Sequence, residues 1–243
     1  MDRILDFHLS EVIYSSKTSL IYRGVRLPAY SPVIIKRLRQ TQPSAGDVSD
    51  LQQECRITGA LADLEGVSRI IDLIKYKNYL FAVSEDFGGT SLDLLMKKNA
   101  LQLDDAMRLA IRLCAILGDI HSRSVIHGGL SPSNVIVNQR SDIIKVIDFS
   151  NASYFTEYPQ LITDPEKHWQ DLRYISPEQT GRINRPMDFR SDYYSLGVTF
   201  YELFTGGVPF KSEDALELVH SHLAKNPVLP HERNPEIPVC LSE

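Results

Sequence analysis

The densest chemistry in the chain lies at residues 127–150, which read H-G-G-L-S-P-S-N-V-I-V-N-Q-R-S-D-I-I-K-V-I-D-F-S. Two runs rich in β-branched residues, 135–137 and 143–147, flank a polar turn at 138–142, the pattern of a β-hairpin. Asn134 precedes the first arm and Asp148 ends the second. Pairing the arms would bring an amide and a carboxylate to one edge of a sheet. Both offer oxygen atoms, which suits Mg2+ held jointly with substrate phosphates.

This stretch resembles the catalytic and metal-binding loops of protein kinases, H-R-D-L-x-x-x-N followed by D-F-G. Here the first motif stands as His127-Gly128-Gly129-Leu130 with Asn134, and the second as Asp148-Phe149-Ser150. Gly129 holds the position of the family's catalytic Asp, Gly128 that of the Arg before it, and Ser131 that of the loop Lys of the Ser/Thr kinases. The segment Pro32-Val33-Ile34-Ile35-Lys36 is similar to the V-A-I-K strand, with Ile34 in place of Ala. Read alone, Lys36 is a lysine at an exposed strand end. The resemblance makes it a ligand of the nucleotide α- and β-phosphates, paired with Glu54, with Glu11 and Glu65 as weaker partners.

The positions of the three phosphate-loop glycines hold Tyr14, Ser16 and Ser19, leaving hydroxyls and the cation of Lys17 instead of bare backbone. Glu85-Asp86-Phe87-Gly88-Gly89 resembles the hinge that reads adenine, with Ser84 at the gatekeeper position. The resemblance thus implies a nucleotide set of Lys36, Glu54, Ile21, Ile34, Ser84, Glu85, Phe87 and Ile136, and a metal set of Asn134 and Asp148. Ser176-Pro177-Glu178 resembles A-P-E, whose Glu pairs in the family with a late Arg that has no counterpart before this chain ends. Asp171 falls where Ser/Thr kinases carry a Thr. It is either a substitute for the missing carboxylate, near Ser131 and Asn134, or an exposed Asp in a relaxed loop.

The implied fold is α+β and bilobal: a small, mostly antiparallel β lobe (1–86) and a mainly helical lobe (87–243), together one kinase-like domain. The last two helices of the larger lobe are expected to be missing, through truncation or because the chain is a fragment. The strings I-S-P-E-Q-T-G-R-I-N-R at 175–185 and S-D-Y-Y-S-L-G-V-T-F-Y-E-L at 191–203 resemble bacterial Ser/Thr kinase-like modules that precede ATPase, sensor and histidine-kinase domains. The resemblance implies a pseudokinase or regulatory ATP-binding module in signal transduction, with ATP and Mg2+ as weakened ligands and signalling domains, linked or separate, as partners. The alternative is a low-rate Ser/Thr kinase with a protein substrate.

Composition sets outer limits. A 43% hydrophobic share over 243 residues allows a sizeable core. A net charge of -5 gives no footprint for nucleic acid. No apolar run spans a bilayer and the N-terminus carries no secretory pattern, so a cytoplasmic protein without a membrane partner is expected. Cys55, Cys114 and Cys240 are scattered and read as reduced thiols.

The elements that must position these groups are also partly legible. After a polar loop at 40–50, helical spacing runs from 50 to 64 through Leu51, Ile57, Ala60 and Leu61, carrying Glu54. Strands are expected at 67–73 and 79–84, and a short helix at 91–98. A long helix capped by Asp104 reaches residue 122, its apolar face being Met107, Ala110, Ile111, Cys114, Leu117 and Ile120. His121 reads as a polar helix end, not a ligand. Residues 151–171 form a long connector in the activation-segment position. By resemblance, Asp192 accepts hydrogen bonds from the catalytic-loop backbone. Asp214 and Glu217 have capping-box spacing, and residues 226–243 read as an extended loop.

Overall fold

The computed structural model describes residues 3–16, 18–98, 101–156 and 171–242. Lys17 and connector residues 157–170 lie outside the described residues. The chain divides into two compact units, residues 1–89 with 138–145, and residues 90–137 with 146–243.

The first unit is a six-stranded antiparallel sheet with one helix. Its strands are β1 (Arg3–Ile4), β2 (Phe7–Ser15), β3 (Ser19–Arg26), β4 (Ser31–Leu38), β5 (Ile70–Tyr76) and β6 (Tyr79–Glu85), in the order β1-β2-β3-β4-β6-β5. Strand alternation sends β4 side chains to opposite faces. Val33 and Ile35 enter one core with Phe7, Leu9, Phe81 and Val83. On the other face Leu38 and Ala82 pack with Leu51 of helix α1 (Ala45–Ala60).

Helix α1 begins inside the segment expected to be a loop. Ser44 Oγ accepts from Asp47 N at 3.1 Å, and Asp47 Oδ2 accepts from Ser44 N at 3.0 Å. This reciprocal cap satisfies two orphan amides and overrides the unfavourable Gly46 in the first turn. The strand expected at 67–73 instead runs over Ile70–Tyr76, because pairing with β6 through Tyr76↔Tyr79 fixes its register.

The second unit contains β7 (Thr90–Ser91), helices α2 (Leu92–Lys98) and α3 (Leu103–Ser122), the short strands β8 (Val125–Ile126) and β11 (Ser153–Tyr154), and β9 (Val135–Asn138) up to residue 137; of β10 (Ile143–Val146) only Val146 belongs to it. Helix α4 (Phe189–Thr205), helix α5 (Ala215–Ala224) and two single turns, α6 (Pro230–Arg233) and α7 (Val239–Ser242), follow. The tip of the β9–β10 hairpin, residues 138–145, groups with the first unit.

Helix α3 is preceded by Gln102, which makes no side-chain cap, and Asp104 lies in its first turn, where a carboxylate still favours the helix dipole. Its buried stripe is Ala106, Leu109, Ala110, Leu113, Leu117 and Ile120, while Ile111 is 64% exposed. Apolar residues cover more than half the circumference of this helix, so packing rather than spacing selects the stripe. Asp214 caps α5 by accepting from Leu216 N and Glu217 N, but the Glu217 carboxylate turns to Ser212 Oγ at 2.7 Å, so no capping box closes. The expected extended tail contains α6 and α7, the first starting on Pro230, whose fixed φ suits a first helical position. No described helix is long and apolar enough to cross a membrane.

Candidate functional site

In the first unit, the β4 register decides what shares a face. Lys36 stands opposite Ile21 on β3 and Ala82 on β6, and Ile34 stands opposite Ser84. Ile21, Ile34, Lys36 and Ser84 therefore line one side of the sheet, the side on which α1 packs. Lys36 Nζ donates to Glu54 Oε1 at 2.9 Å and to Oε2 at 2.8 Å. Glu54 is buried on α1, so the lysine head is held at the sheet surface by both carboxylate oxygens. The neighbouring Cys55 thiol is pushed up to about 11 by burial and by the Glu54 charge, against the opposing pull of Lys36. Ser84 Oγ reaches Ile34 O at 3.5 Å, the outer limit of a hydrogen bond.

The segment that resembles a hinge is tied down at Glu85, Asp86, Phe87 and Gly88. Glu85 Oε1 accepts from Lys145 Nζ at 2.5 Å and Arg69 N at 3.0 Å. Burial pulls the Glu85 carboxyl upward, but these hydrogen bonds and the charges of Lys145 and Arg69 hold it below the usual carboxylate range. Asp86 accepts from Arg23 Nε at 2.7 Å and from Gly88 N at 2.8 Å, and Gly88 has the positive φ of +74° that favours glycine. The Phe87 carbonyl accepts from Asn138 Nδ2 at 2.6 Å.

The turn that replaces the glycine loop is capped internally. Ser16 Oγ accepts from Ser19 N at 2.9 Å and Thr18 N at 3.3 Å, and Arg39 Nη1 donates to Ser16 O at 2.9 Å. The Ser16 hydroxyl thus takes up two amides of its own turn, where a glycine loop would aim amides at a phosphate.

In the second unit, Asp192 in the first turn of α4 organises the loop. It is fully buried; Oδ2 accepts from His127 N at 2.8 Å and Oδ1 from Gly128 N at 2.8 Å. His121 Nε2 donates to Oδ2 as well, at 2.8 Å. Sequence reading gave His121 only a helix-end role; its place in the last turn of α3, just before the loop, was the one available hint. The buried His127 ring accepts from Gly129 N through Nδ1 at 3.2 Å and donates from Nε2 to Ile147 O at 3.0 Å, which fixes its tautomer. Gln179 Nε2 donates to Gly128 O at 2.6 Å, and Glu178 accepts from Ser191 Oγ.

Asn134 donates from Nδ2 to Gly129 O at 2.8 Å, so its amide oxygen is the atom that could meet a cation. Asp148, at φ +63°, supplies a carboxylate from a left-handed position that Asp tolerates. One carboxylate and one amide oxygen fit Mg2+, which usually takes few protein ligands and completes its shell with phosphates and water. No group of three or more His, Cys, Asp or Glu suited to a metal occurs among the described residues. Ile136 lies on β9 opposite Ser91. Ser131 Oγ bonds Ser133 Oγ at 2.8 Å. The Asp171 carboxylate is gripped by Arg173, from Nε at 2.8 Å and Nη2 at 2.5 Å, as a two-pronged ion pair.

Gly128 and Gly129 differ in why they are glycine. Gly128 has φ +69°, and a Cβ there would stand 2.5 Å from Asn151 O. A Cβ on Gly129 would meet only ordinary contacts, the nearest being Asn151 Nδ2 at 3.4 Å. The backbone therefore requires glycine at 128 and tolerates a side chain at 129.

A protein kinase domain model matches residues 7–238. A probable serine/threonine-protein kinase of Clostridium acetobutylicum is 28% identical over 239 residues, covering 98% of this chain and 36% of that protein. The serine/threonine-protein kinase pkn3 of Myxococcus xanthus is 30% identical over 224 residues (89% and 40%), and the hybrid signal transduction histidine kinase G of Dictyostelium discoideum 31% over 235 residues (69% and 7%). The chain thus spans less than half the length of these relatives. With a match over nearly its whole length, this chain belongs to the protein kinase domain family.

Proposed function

We propose that this chain is a regulatory, pseudokinase-type module of a signalling protein, a single kinase-like domain with lobes at 1–86 and 87–243. It binds ATP with Mg2+ weakly and does not transfer phosphate efficiently. The observation that carries this reading is an asymmetry between two parts of the family's machinery. The Lys36–Glu54 pair is formed at 2.8–2.9 Å, whereas residue 129 has no side chain to take a proton. In this reading Lys36 meets the nucleotide phosphates, Ile21, Ile34, Ser84, Glu85, Phe87 and Ile136 bound the base, and Asn134 and Asp148 hold Mg2+. When bound, the ion would neutralise phosphate charge.

Magnitude supports regulation over catalysis. A general base contributes typically 10²–10⁴-fold, roughly 3–5 kcal/mol of barrier. Ser131 puts no cation at the loop Lys position, and Asp171 is already neutralised by Arg173. The two losses fall on the same transition state. The similarity to a hybrid signal transduction histidine kinase favours linked signalling domains as partners, and this reading keeps the module in the cytoplasm.

The test is a thermal-shift titration with ATP, with and without Mg2+, alongside phosphotransfer from radiolabelled ATP. Mg2+-dependent stabilisation that Asp148→Asn abolishes, with no incorporation above that variant, is the expected result. Incorporation by the native chain that Asp148→Asn removes would instead establish a low-rate Ser/Thr kinase. No nucleotide shift under either condition would overturn ATP binding.

A further inference from the structure

Asn151 follows the metal-loop Asp by three positions and is 9% exposed. Its Nδ2 is buried and has no hydrogen-bond partner, one of four such side-chain atoms among the described residues. A buried donor left unmatched is costly, so each one asks for a reason. The surroundings supply one. The three atoms nearest to a Cβ built on Gly129 all belong to Asn151: Nδ2 at 3.4 Å, Cβ at 3.7 Å and Cγ at 3.9 Å. The orphan donor thus borders the side-chain position that residue 129 leaves empty.

Nothing in the backbone forces that emptiness. Gly128 is held in a left-handed conformation against Asn151 O, so any side chain there is strained. Gly129 has no positive φ and no contact below van der Waals distance. Its loop is fixed by bonds that do not involve a side chain at 129: Gly129 N to His127 Nδ1, and Asn134 Nδ2 to Gly129 O.

We propose that Asn151 is a positioning residue whose amide is built to hold a hydrogen-bond-accepting oxygen beside residue 129, in a subsite that is complete except for that oxygen. The inference rests on the reading above only for its consequence in phosphotransfer. An acceptor grafted onto position 129 stands within reach of Nδ2, and a carboxylate there is both held and oriented. With ATP and a protein hydroxyl, the introduced carboxylate takes the hydroxyl proton while the hydroxyl oxygen bonds to the γ-phosphorus. The bond from that phosphorus to the β–γ bridging oxygen breaks, and ADP leaves.

The experiment compares Gly129→Ala, Gly129→Asn and Gly129→Asp, each with Asn151 and with Asn151→Leu, which keeps bulk and removes the donor. Melting temperature is read first. With Asn151 present, the Asn and Asp variants should melt above the Ala variant by about 2–4 °C, as expected for one satisfied buried donor in a chain of this size. With Asn151→Leu that difference should vanish. Phosphotransfer to dephosphorylated casein is read second: Gly129→Asp should gain about 10²–10⁴-fold over the native chain, and Gly129→Asn should not. Equal or lower melting temperatures for the acceptor variants, or a gain that persists with Asn151→Leu, overturns the proposal. A melting gain without phosphotransfer, in a chain whose ATP–Mg2+ shift is intact, overturns the positioning role. If that shift is absent, the nucleotide reading has failed and the melting comparison alone decides the subsite.

Discussion

Replacing Lys36 by Met tests how the first unit holds its cation. The Met fills much of the space of the lysine stem but leaves the Glu54 carboxylate without the two bonds at 2.8 and 2.9 Å. Side-chain exposure is 19% for Lys36 and 9% for Glu54, so the pair is neither fully buried nor a surface pair. Breaking a buried pair costs about 3–5 kcal/mol and an exposed one about 0.2–1, which brackets this pair at about 2–3 kcal/mol. At about 2–4 °C per kcal/mol for a chain of this length, Lys36→Met should melt about 5–10 °C below the native protein. Most of that cost is a buried carboxylate that has lost its two bonds to Lys36. The double variant Lys36→Met/Glu54→Leu removes it and should recover much of the loss, giving a coupling of about 1–2 kcal/mol in the cycle. Urea unfolding of the four proteins supplies the cycle. Additive single losses, or a Lys36→Met variant as stable as the native chain, would refute the reasoning. So would survival of the ATP-induced shift in Lys36→Met.

Three further outcomes follow from side chains elsewhere. His222 is buried against Tyr194, whose hydroxyl lies 2.7 Å from Nδ1; burial lowers the His222 pKa from 6.5 despite the raising influence of the Leu172 backbone. The unfolded chain therefore binds the proton first, so stability should fall as pH drops from about 6.5 towards the lower folded value, then level off. His222→Gln should flatten that segment of the urea-midpoint profile, and an unchanged slope would discard the assignment. At pH 8 iodoacetamide should alkylate the exposed Cys114 and Cys240 of the native protein, while Cys55, pushed up to about 11, reacts only after unfolding; peptide mapping reads this directly. Ser44→Ala should cost about 1 kcal/mol through the α1 cap, and Ser44→Asp well under half of that; equal losses would show that the cap bond carries nothing.

The sequence alone determined the local features. The β9–β10 hairpin and the strand that carries Lys36 were legible because their signals lie within a few residues: β-branched runs and turn residues. The Ser44 cap was equally local, but Pro43 and Gly46 masked it. Tertiary structure decided what depends on distant partners. Which stripe of α3 faces inward is set by packing, because spacing alone also allowed Ile111 and Cys114. The hold of Asp192 on the loop joins it to His127, 65 residues away, and to His121, 71 away, and no local pattern announces the second bond. Above all, the sequence presented Gly128 and Gly129 alike, as two family positions that have lost their side chains. Only the fold separates them, because one meets the backbone oxygen of Asn151 at a positive φ while the other opens towards its unmatched amide.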